Sequence, residues 1–383
     1  MNSKLYFNPR VMRQLPVLGP SRDPIDFHRR LPGYAPTRIV SAPDLARKLG
    51  VGRVWVKDES SRYGLPSFKI LGAWWAAYRL LVEIFGQELE SWASLEELRG
   101  KLEPMRPLDL VAATDGNHGR AVARIAALLG FGARIFVPEN TTAARIEAIA
   151  SEGARVAVVK GAYEDALQRA VEEQNPRALL VQDITLPGYE DVPRWAMEGY
   201  STIFWETDEI LAARGEGELD LVVAQVGGGA FAAAAVRHYR RSPDRSPRIV
   251  TAETACAAST LASMRAGRVL TVPGPHDSMM SGLNCGTVST VAWPFLRDGV
   301  DCFAAIGDER VGEAMRFLAA AGLTAGETGA SGAACLLELL DGPSGETVRE
   351  KLEIGPSSRV LLVSTEGATD PEAFRRIVEG KEG

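Results

Sequence analysis

Apolar and polar residues follow each other along the chain in blocks that predict strands and helices in alternation. Short uninterrupted apolar runs, such as Val54 to Val56, predict strands. The longer run from Phe68 through Leu81 carries its apolar residues at helical spacing and predicts a helix. Strands that are apolar on both faces are typical of parallel sheets covered by helices. The pattern therefore predicts parallel βα units.

Such units recur through most of the chain. Further strands are predicted at 108–114, 133–138, 154–159, 178–183, 219–226, 247–253 and 359–365, and further helices at 119–129, 142–153, 163–174, 195–211, 231–241 and 257–267. Because so many strands exceed one ordinary sheet, we predict an α/β fold with two doubly wound domains and mostly parallel sheets. We place a large discontinuous domain, which binds the cofactor, at 1–108 and 216–383, and a small mobile domain at 109–215.

The composition is that of an ordinary globular protein. Of the 383 residues, 46% are hydrophobic and 24% are charged, and the formal charge is 43 − 49 = −6 without a run of like charges. This argues against nucleic acid or a membrane surface as a partner. The first residues lack the apolar core of a signal peptide and the four cysteines lack CxxC spacing, which indicates a cytoplasmic location. The four histidines are scattered, so we expect no metal site.

Three consecutive glycines, Gly227 to Gly229, stand between a predicted strand and an alanine-rich predicted helix. Glycines let backbone N–H groups approach a ligand closely, and the N-terminus of a helix favours an anion. The alternative is a tight turn that needs positive φ, which seldom requires three glycines. The run is not GxGxxG, since Ala230 and Ala232 follow it, and no acidic residue is placed to bind a ribose. We therefore predict a site for a compact phosphate ester.

Lys69 stands at the start of the helix predicted from Phe68, where its charge opposes the positive end of the helix dipole. A lysine in that position costs stability unless its amine is used. The alternative, a surface lysine whose stem covers apolar side chains, does not explain why Phe68 and Ile70 flank it. We therefore expect the amine of Lys69 to be functional.

The segment "TDGNHG" at 114–119 also follows a predicted strand, and the carboxyl ends of parallel strands are where α/β folds bind ligands. Asp115 and Asn117 could instead only cap the next helix. A lysine, a phosphate loop and an amide side chain together fit pyridoxal 5′-phosphate. Its aldehyde forms a Schiff base with a lysine, while backbone amides hold its phosphate. We therefore predict this cofactor, attached to Lys69 in the cleft between the domains.

The same motifs resemble those of a known family. "SFK" at 67–69, "TDGNHG" and the glycine run are similar to the tryptophan synthase β-like (fold type II) pyridoxal phosphate enzymes. Within that family, the chain is most similar to the diaminopropionate ammonia-lyases, over nearly its whole length. The aspartate in "TDGNHG", where serine and threonine dehydratases carry "SSGNHG", is the most specific feature. "STEGATD" at 364–370, in place of "SGGN", supports the same branch.

The resemblance implies a role for each matching residue. Lys69 would carry the cofactor, and Asp115 and Asp183 would be active-site acids, although Asp183 alone would pass for a turn residue at a strand end. Ser364 or Thr365 would face the pyridine nitrogen, and Ser364 aligns better. The remaining cofactor contacts would be the ring hydroxyl with Asn117 and the phosphate with Gly227, Gly228, Gly229 and Ala230.

These roles predict the α,β-elimination of 2,3-diaminopropionate to pyruvate and ammonia, with Asp115 as the acid that protonates the leaving amine. A serine/threonine-type dehydratase or a β-replacement synthase stays open, because the loops at 63–67 and 283–290 depart from the family pattern where substrate would bind. A regulatory protein on an enzyme fold is a further alternative, but it would have lost the lysine or the phosphate loop. We expect a homodimer that acts on a small amino acid.

The resemblance also places cysteines at the positions of Cys256 and Cys285. We expect these two residues to lie near each other, so that oxidation would order the substrate loop rather than hold the fold together. A disulfide that closes about 30 residues contributes roughly 3 kcal/mol when it is unstrained. Against it, the cytoplasm favours thiols.

Overall fold

The computed structural model describes residues 4–16, 19–114, 116–243 and 246–380. The chain divides into two compact units. The first unit comprises Met1–Ser21, Pro36–Arg62 and Ile203–Gly383, and the second comprises Arg22–Ala35 and Tyr63–Thr202. These units are defined by contacts, whereas the predicted domains are defined by cofactor binding and mobility. The predicted division at 108/109 and 215/216 therefore stays a prediction.

Two sheets carry the strands. They are β1 (Leu5–Phe7), β2 (Ile39–Ser41), β3 (Arg53–Asp58), β4 (Asp109–Ala113), β5 (Gly132–Pro138), β6 (Arg155–Val159), β7 (Ala178–Leu180), β8 (Leu221–Gln225), β9 (Arg248–Thr254), β10 (Cys302–Ile306) and β11 (Arg359–Ser364). The first unit holds a seven-stranded sheet in the order β1-β10-β9-β8-β11-β3-β2. Its five inner strands are parallel, and only the edge strands β1 and β2 run antiparallel to their neighbours.

The second unit holds a four-stranded sheet in the order β6-β5-β4-β7, and all its pairings are parallel. Strands β7 and β8 are buried at every position, as are β3 and β4 after their first residue. Strand β6 lies at a sheet edge and is half-buried or exposed throughout. Because the inner strands are apolar and covered on both faces, the predicted fold class with mostly parallel sheets is confirmed.

Helices follow most strands, as the pattern predicts. They are α1 (Asp23–Arg29), α2 (Pro43–Leu49), α3 (Lys69–Phe85), α4 (Leu95–Lys101), α5 (Asn117–Leu129), α6 (Ala143–Ala150), α7 (Tyr163–Glu172), α8 (Asp191–Gly199), α9 (Ser201–Ala213), α10 (Ala230–Tyr239), α11 (Ser259–Ala266), α12 (Trp293–Gly299), α13 (Val311–Ala320), α14 (Glu327–Leu340), α15 (Gly345–Leu352) and α16 (Pro371–Glu379). In the parts of the chain that the structure describes, no helix combines the length and the apolar character that a membrane crossing needs.

The prediction of one continuous helix is wrong. The helix predicted at 195–211 is two helices, α8 and α9, which meet at Tyr200. Tyr200 keeps helical backbone angles (φ −68°, ψ −16°). The helical spacing of the apolar residues therefore continues across the junction, and the sequence does not show where α8 ends. The pattern also missed β10, and it missed β1 and β2, which are three residues long each and too short to show a period.

A buried group of charges ties β3 to α9 within the first unit. Lys57 Nζ donates to Glu206 Oε2 at 2.6 Å and to the Thr37 carbonyl at 2.8 Å. Arg62 forms paired hydrogen bonds with the carboxylates of both Glu59 and Glu206, at 2.7 to 2.8 Å. Burial alone would raise the pKa of Glu206, but Arg62 and Lys57 outweigh it and lower that pKa to about 2. Two cations and two carboxylates leave the group neutral.

Candidate active site

Lys69 is the first residue of α3, as predicted, and it lies in the second unit. Its Nζ lies 2.6 Å from Asp183 Oδ2 and 5.7 Å from the centre of the Phe68 ring. The lysine side chain is 31% exposed, whereas that of Asp183 is 10% exposed. The carboxylate compensates the repulsion between the ammonium and the helix N-terminus. The amine is therefore both held by a partner and accessible.

Asp183 follows β7 and faces several polar groups. Besides Lys69, its Oδ2 lies 3.7 Å from His118 Nδ1 and 3.4 Å from Tyr200 Oη. Burial favours the neutral carboxyl, but His118 and Lys69 outweigh burial and lower the pKa of Asp183 well below its usual value. Asp183 is therefore an ionised carboxylate at neutral pH.

Residues around Asp183 fix its backbone to β4. The Gln182 side chain bonds both the N–H and the carbonyl of Ala113, each at 3.1 Å, and it donates to Tyr163 Oη at 2.7 Å. Tyr189 Oη donates to the Leu180 carbonyl at 2.7 Å. Because these bonds hold the segment directly before Asp183, the backbone that carries the carboxylate has a defined position relative to β4.

The "TDGNHG" segment leads into α5, which begins at Asn117. The Thr114 hydroxyl accepts the N–H groups of Gly116 at 2.9 Å and Gly119 at 3.1 Å, and so satisfies donors at the start of this helix. His118 Nε2 bonds the Val181 carbonyl at 2.8 Å, which leaves Nδ1 facing Asp183. Asn117 is half-buried. Asp115 lies outside the described residues.

The glycine run lies in the first unit, between β8 and α10. Gly229 has φ +94°, which favours glycine, and a Cβ on Gly227 would lie 2.6 Å from the Gly282 carbonyl oxygen. The Gly228 carbonyl accepts the Ser289 N–H at 2.9 Å. Ala230 begins a ten-residue helix, so its N-terminal N–H groups lie next to the glycines. This arrangement suits a compact anion such as a phosphate.

Ser364 and Thr365 follow at the end of β11, the neighbour of β8 in the same sheet. Both are buried. Ser364 Oγ has a long bond to the Glu366 carbonyl at 3.4 Å, and Thr365 Oγ1 has no hydrogen-bond partner in the described structure. Gln225, at the end of β8, donates to the Val363 carbonyl at 2.7 Å while its Oε1 has no partner there. These unpaired buried polar atoms lie at the carboxyl ends of β8 and β11, which suits a ligand that forms hydrogen bonds with them.

The loop at 271–289 contacts the glycine run. A Cβ on Gly227 would lie 3.2 Å from Cys285 Sγ. Cys256 and Cys285 are both thiols in the structure, and each is partly exposed. Cys256 Sγ lies 3.7 Å from Asn284 Oδ1, on the residue before Cys285. The oxidation of this pair stays a prediction.

The predicted residues thus fall into two groups, one in each unit. In the second unit the structure brings Lys69 and Asp183 together, while Asn117 begins the helix that carries His118. In the first unit the glycine run and Ser364 follow adjacent parallel strands. Sequence reasoning missed Tyr200, since a tyrosine on an apolar helical pattern signals only core. Within the described ranges, no cluster of three His, Cys, Asp or Glu side chains could hold a metal ion.

Comparison with known proteins adds a family. Residues 30–366 match the family model described as pyridoxal-phosphate dependent enzyme. The chain is 33% identical to diaminopropionate ammonia-lyase of Salmonella typhimurium over 364 residues, which cover 92% of this chain and 90% of that protein. It is also 33% identical to diaminopropionate ammonia-lyase of Escherichia coli K12, over 93% of this chain and 90% of that one.

Solved structures show the same similarity. The holo form of the Escherichia coli diaminopropionate ammonia-lyase has a TM-score of 0.89 and 31% identity, covering 98% of this chain and 97% of that one. The same enzyme in complex with an aminoacrylate–pyridoxal phosphate azomethine reaction intermediate has a TM-score of 0.87 and 30% identity, with the same coverage. Maize serine racemase shares the fold at a TM-score of 0.72 and 22% identity.

Proposed function

The chain belongs to the pyridoxal-phosphate dependent enzymes, and on that premise we propose that it eliminates ammonia from 2,3-diaminopropionate. The observation that carries the proposal is the contact of Lys69 Nζ with Asp183 Oδ2 at 2.6 Å. An elimination needs a group that removes the Cα proton, and an accessible lysine amine positioned by a carboxylate suits that task. The similarity to diaminopropionate ammonia-lyases over more than nine-tenths of the chain supports the choice of substrate.

Pyridoxal phosphate, when bound, delocalises the electron pair that remains on the substrate Cα after its proton is removed. We assign its attachment to Lys69 and its ring hydroxyl to Asn117. The positive φ of Gly229 and the start of α10 support a phosphate site at Gly227, Gly228, Gly229 and Ala230. For the pyridine nitrogen, the motif resemblance favours Ser364, while Thr365 is favoured by its hydroxyl, which has no hydrogen-bond partner within the described residues.

The chain's own residues then divide the proton transfers. Lys69 takes the Cα proton from one face of the substrate, and Asp115 takes it from the opposite face, so both enantiomers react. Ammonia leaves only when its nitrogen is protonated, and we assign that proton to Asp115. The lowered pKa of Asp183 supports a different role, that of a permanent anion that orients Lys69. The enamine that remains is hydrolysed, so one diaminopropionate and one water give pyruvate and two ammonia molecules.

A substrate panel tests the proposal. The enzyme loaded with pyridoxal phosphate is given L- and D-2,3-diaminopropionate, L-serine, D-serine and L-threonine, and keto-acid release is followed with dinitrophenylhydrazine. We expect the highest kcat/KM with diaminopropionate, and we expect Asp115→Asn to lose more activity towards the D-enantiomer. A higher kcat/KM with serine or threonine would instead assign the chain to the dehydratases, for which the altered loops at 63–67 and 283–290 leave room.

Two finer properties belong to the same proposal. We propose that the enzyme is a homodimer, and that it works in the cytoplasm, which the spacing of its four cysteines supports. Sedimentation equilibrium of the holoenzyme checks the first point, since the chain mass is 41.2 kDa. A single species near that mass would contradict the homodimer.

A further inference from the structure

Tyr200 stands at the junction of α8 and α9 and is 1% exposed. Its Oη donates to Asp183 Oδ2 at 3.4 Å, the same oxygen that binds Lys69 Nζ at 2.6 Å. This is its only side-chain hydrogen bond among the residues that the structure describes. If this buried side chain only filled space, a phenylalanine would serve as well. The hydroxyl therefore needs an explanation of its own.

The Tyr200 ring packs on the first turn of α3. Its centre lies 4.7 Å from that of the Phe68 ring, the residue directly before Lys69. On the other side it fills the space over Gly72, where a Cβ would lie 2.4 Å from Tyr200 Cε1. Phe68 and Lys69 lie four and three positions before Gly72, so each of them shares a side of this first turn with Gly72. The ring is therefore held against the turn that carries Lys69.

We propose that Tyr200 is a positioning residue for the pair of Lys69 and Asp183. Its ring fixes the turn that presents the lysine, and its hydroxyl fixes the carboxylate that the lysine faces. The hydroxyl also takes up part of the negative charge of Asp183, so that the carboxylate holds the ammonium less tightly and the neutral amine forms more readily. The inference rests on the proposed function, in which Lys69 must lose its proton to bind the cofactor.

The electrostatic part of this inference involves four groups around Asp183. Lys69 faces it from α3, His118 from α5 and Tyr200 from the α8–α9 junction, while Tyr189 lies beyond β7. Burial raises the pKa of the Tyr200 hydroxyl well above its usual value, so the group stays a neutral donor throughout the working range of pH. The phenol therefore adds no titration of its own to a pH profile measured in that range.

The test is Tyr200→Phe, with Tyr78→Phe as its matched control. Tyr78 lies on α3, the helix that begins at Lys69, is 5% exposed, and donates to the Leu89 carbonyl at 3.3 Å. The rate at which the cofactor-free protein takes up pyridoxal phosphate is measured by absorbance between pH 6 and pH 10. We expect the midpoint of this profile to rise by roughly half a pH unit in Tyr200→Phe, since a 3.4 Å bond is a long one. We expect no change in Tyr78→Phe.

Steady-state kinetics gives the second measurement. At pH 7 we expect kcat of Tyr200→Phe to fall roughly threefold to tenfold, to recover partly at higher pH, and KM to stay within a factor of two. A melting temperature equal to that of Tyr78→Phe would show that the loss is not one of stability.

Two results would overturn the inference: a midpoint that is unchanged or lower in Tyr200→Phe, or equal effects of the two substitutions. The proposed function can fail separately, if the wild-type enzyme releases no keto acid from diaminopropionate. Cofactor uptake still tests Tyr200 in that case, because uptake requires only the Lys69 amine and the cofactor.

Discussion

Lys57 and Lys69 make the same contact in two different settings. Each places Nζ 2.6 Å from a carboxylate oxygen, of Glu206 and of Asp183 respectively. Lys57 is 0% exposed, and it also donates to the carbonyl and hydroxyl of Thr37. Lys69 is 31% exposed and stands at a helix start. The first lysine is enclosed by partners, whereas the second presents its amine to solvent.

The difference teaches how to separate structural from functional ion pairs. A fully enclosed pair must be satisfied on all sides, because an unpaired buried charge costs several kcal/mol. Such a pair stabilises one arrangement of the backbone and leaves no reactive atom available. An accessible pair contributes little to stability, on the order of 1 kcal/mol or less. Chemistry, and not stability, is then the better explanation for such a pair. We therefore expect substitutions at Lys57 to change stability and substitutions at Lys69 to change activity.

The largest expected effect is that of Lys69→Ala. Turnover should fall on the order of a thousandfold or more, because the amine that removes the Cα proton is gone. The absorbance band of the enzyme-attached cofactor should disappear as well. The melting temperature of the cofactor-free protein should stay near that of the wild type. A borohydride-reducible adduct that persists in the variant would show that another lysine carries the cofactor.

Lys57→Met should do the reverse. It removes one of the two buried cations that contact Glu59 and Glu206 in the described structure, and breaking a buried pair in this way costs about 3–5 kcal/mol of unfolding free energy. Denaturant titration measures that loss, with Lys48→Met as the control, since Lys48 pairs with Asp341 at 2.9 Å on the surface. If both variants lose the same small amount, the enclosed network does not stabilise the first unit.

The sequence predicts the positions of helices and strands better than it predicts which of them pair with each other. Apolar runs locate β3, β8 and β11, because the strands of a parallel sheet are covered on both faces. The break at Tyr200 leaves no trace, since this residue keeps helical angles. The short antiparallel strands at the sheet edges depend on their neighbours and not on a pattern of their own.

The candidate site divides along the same line. Lys69 and the glycine run could be found because each is unusual within its own short stretch of sequence. One is a cation at a helix start, and the other is three glycines after a strand. The partner of Lys69 lies 114 residues away, and that of Lys57 lies 149 residues away. No spacing rule connects residues so distant, so only the resemblance pointed to Asp183. Nothing in the sequence pointed to Glu206 or Tyr200.

A smaller effect should appear as pH falls. Glu206 has a pKa of about 2 in the folded protein, below its usual 4.5. A carboxyl with a lowered folded pKa stabilises the fold above its unfolded pKa, and this contribution is lost as pH falls through the folded value. The unfolding free energy should therefore decline between about pH 4.5 and pH 2. Glu206→Gln should be less stable at pH 7 and should show a flatter decline, whereas an unchanged slope would place the acid sensitivity elsewhere.

The smallest expected effect is that of Cys285→Ser, a substitution outside both lysine sites. The loop that carries Cys285 lies against Gly227, and Cys256 lies near the preceding residue Asn284. Oxidation of the two thiols would therefore act on the glycine run and not on the core. We expect the melting temperature of Cys285→Ser to match the wild type in reductant, and the wild type alone to change its cofactor affinity when reductant is removed. A steep fall in the melting temperature of the variant, or Cα atoms farther apart than the roughly 7 Å limit for a disulfide, would remove the basis for this switch.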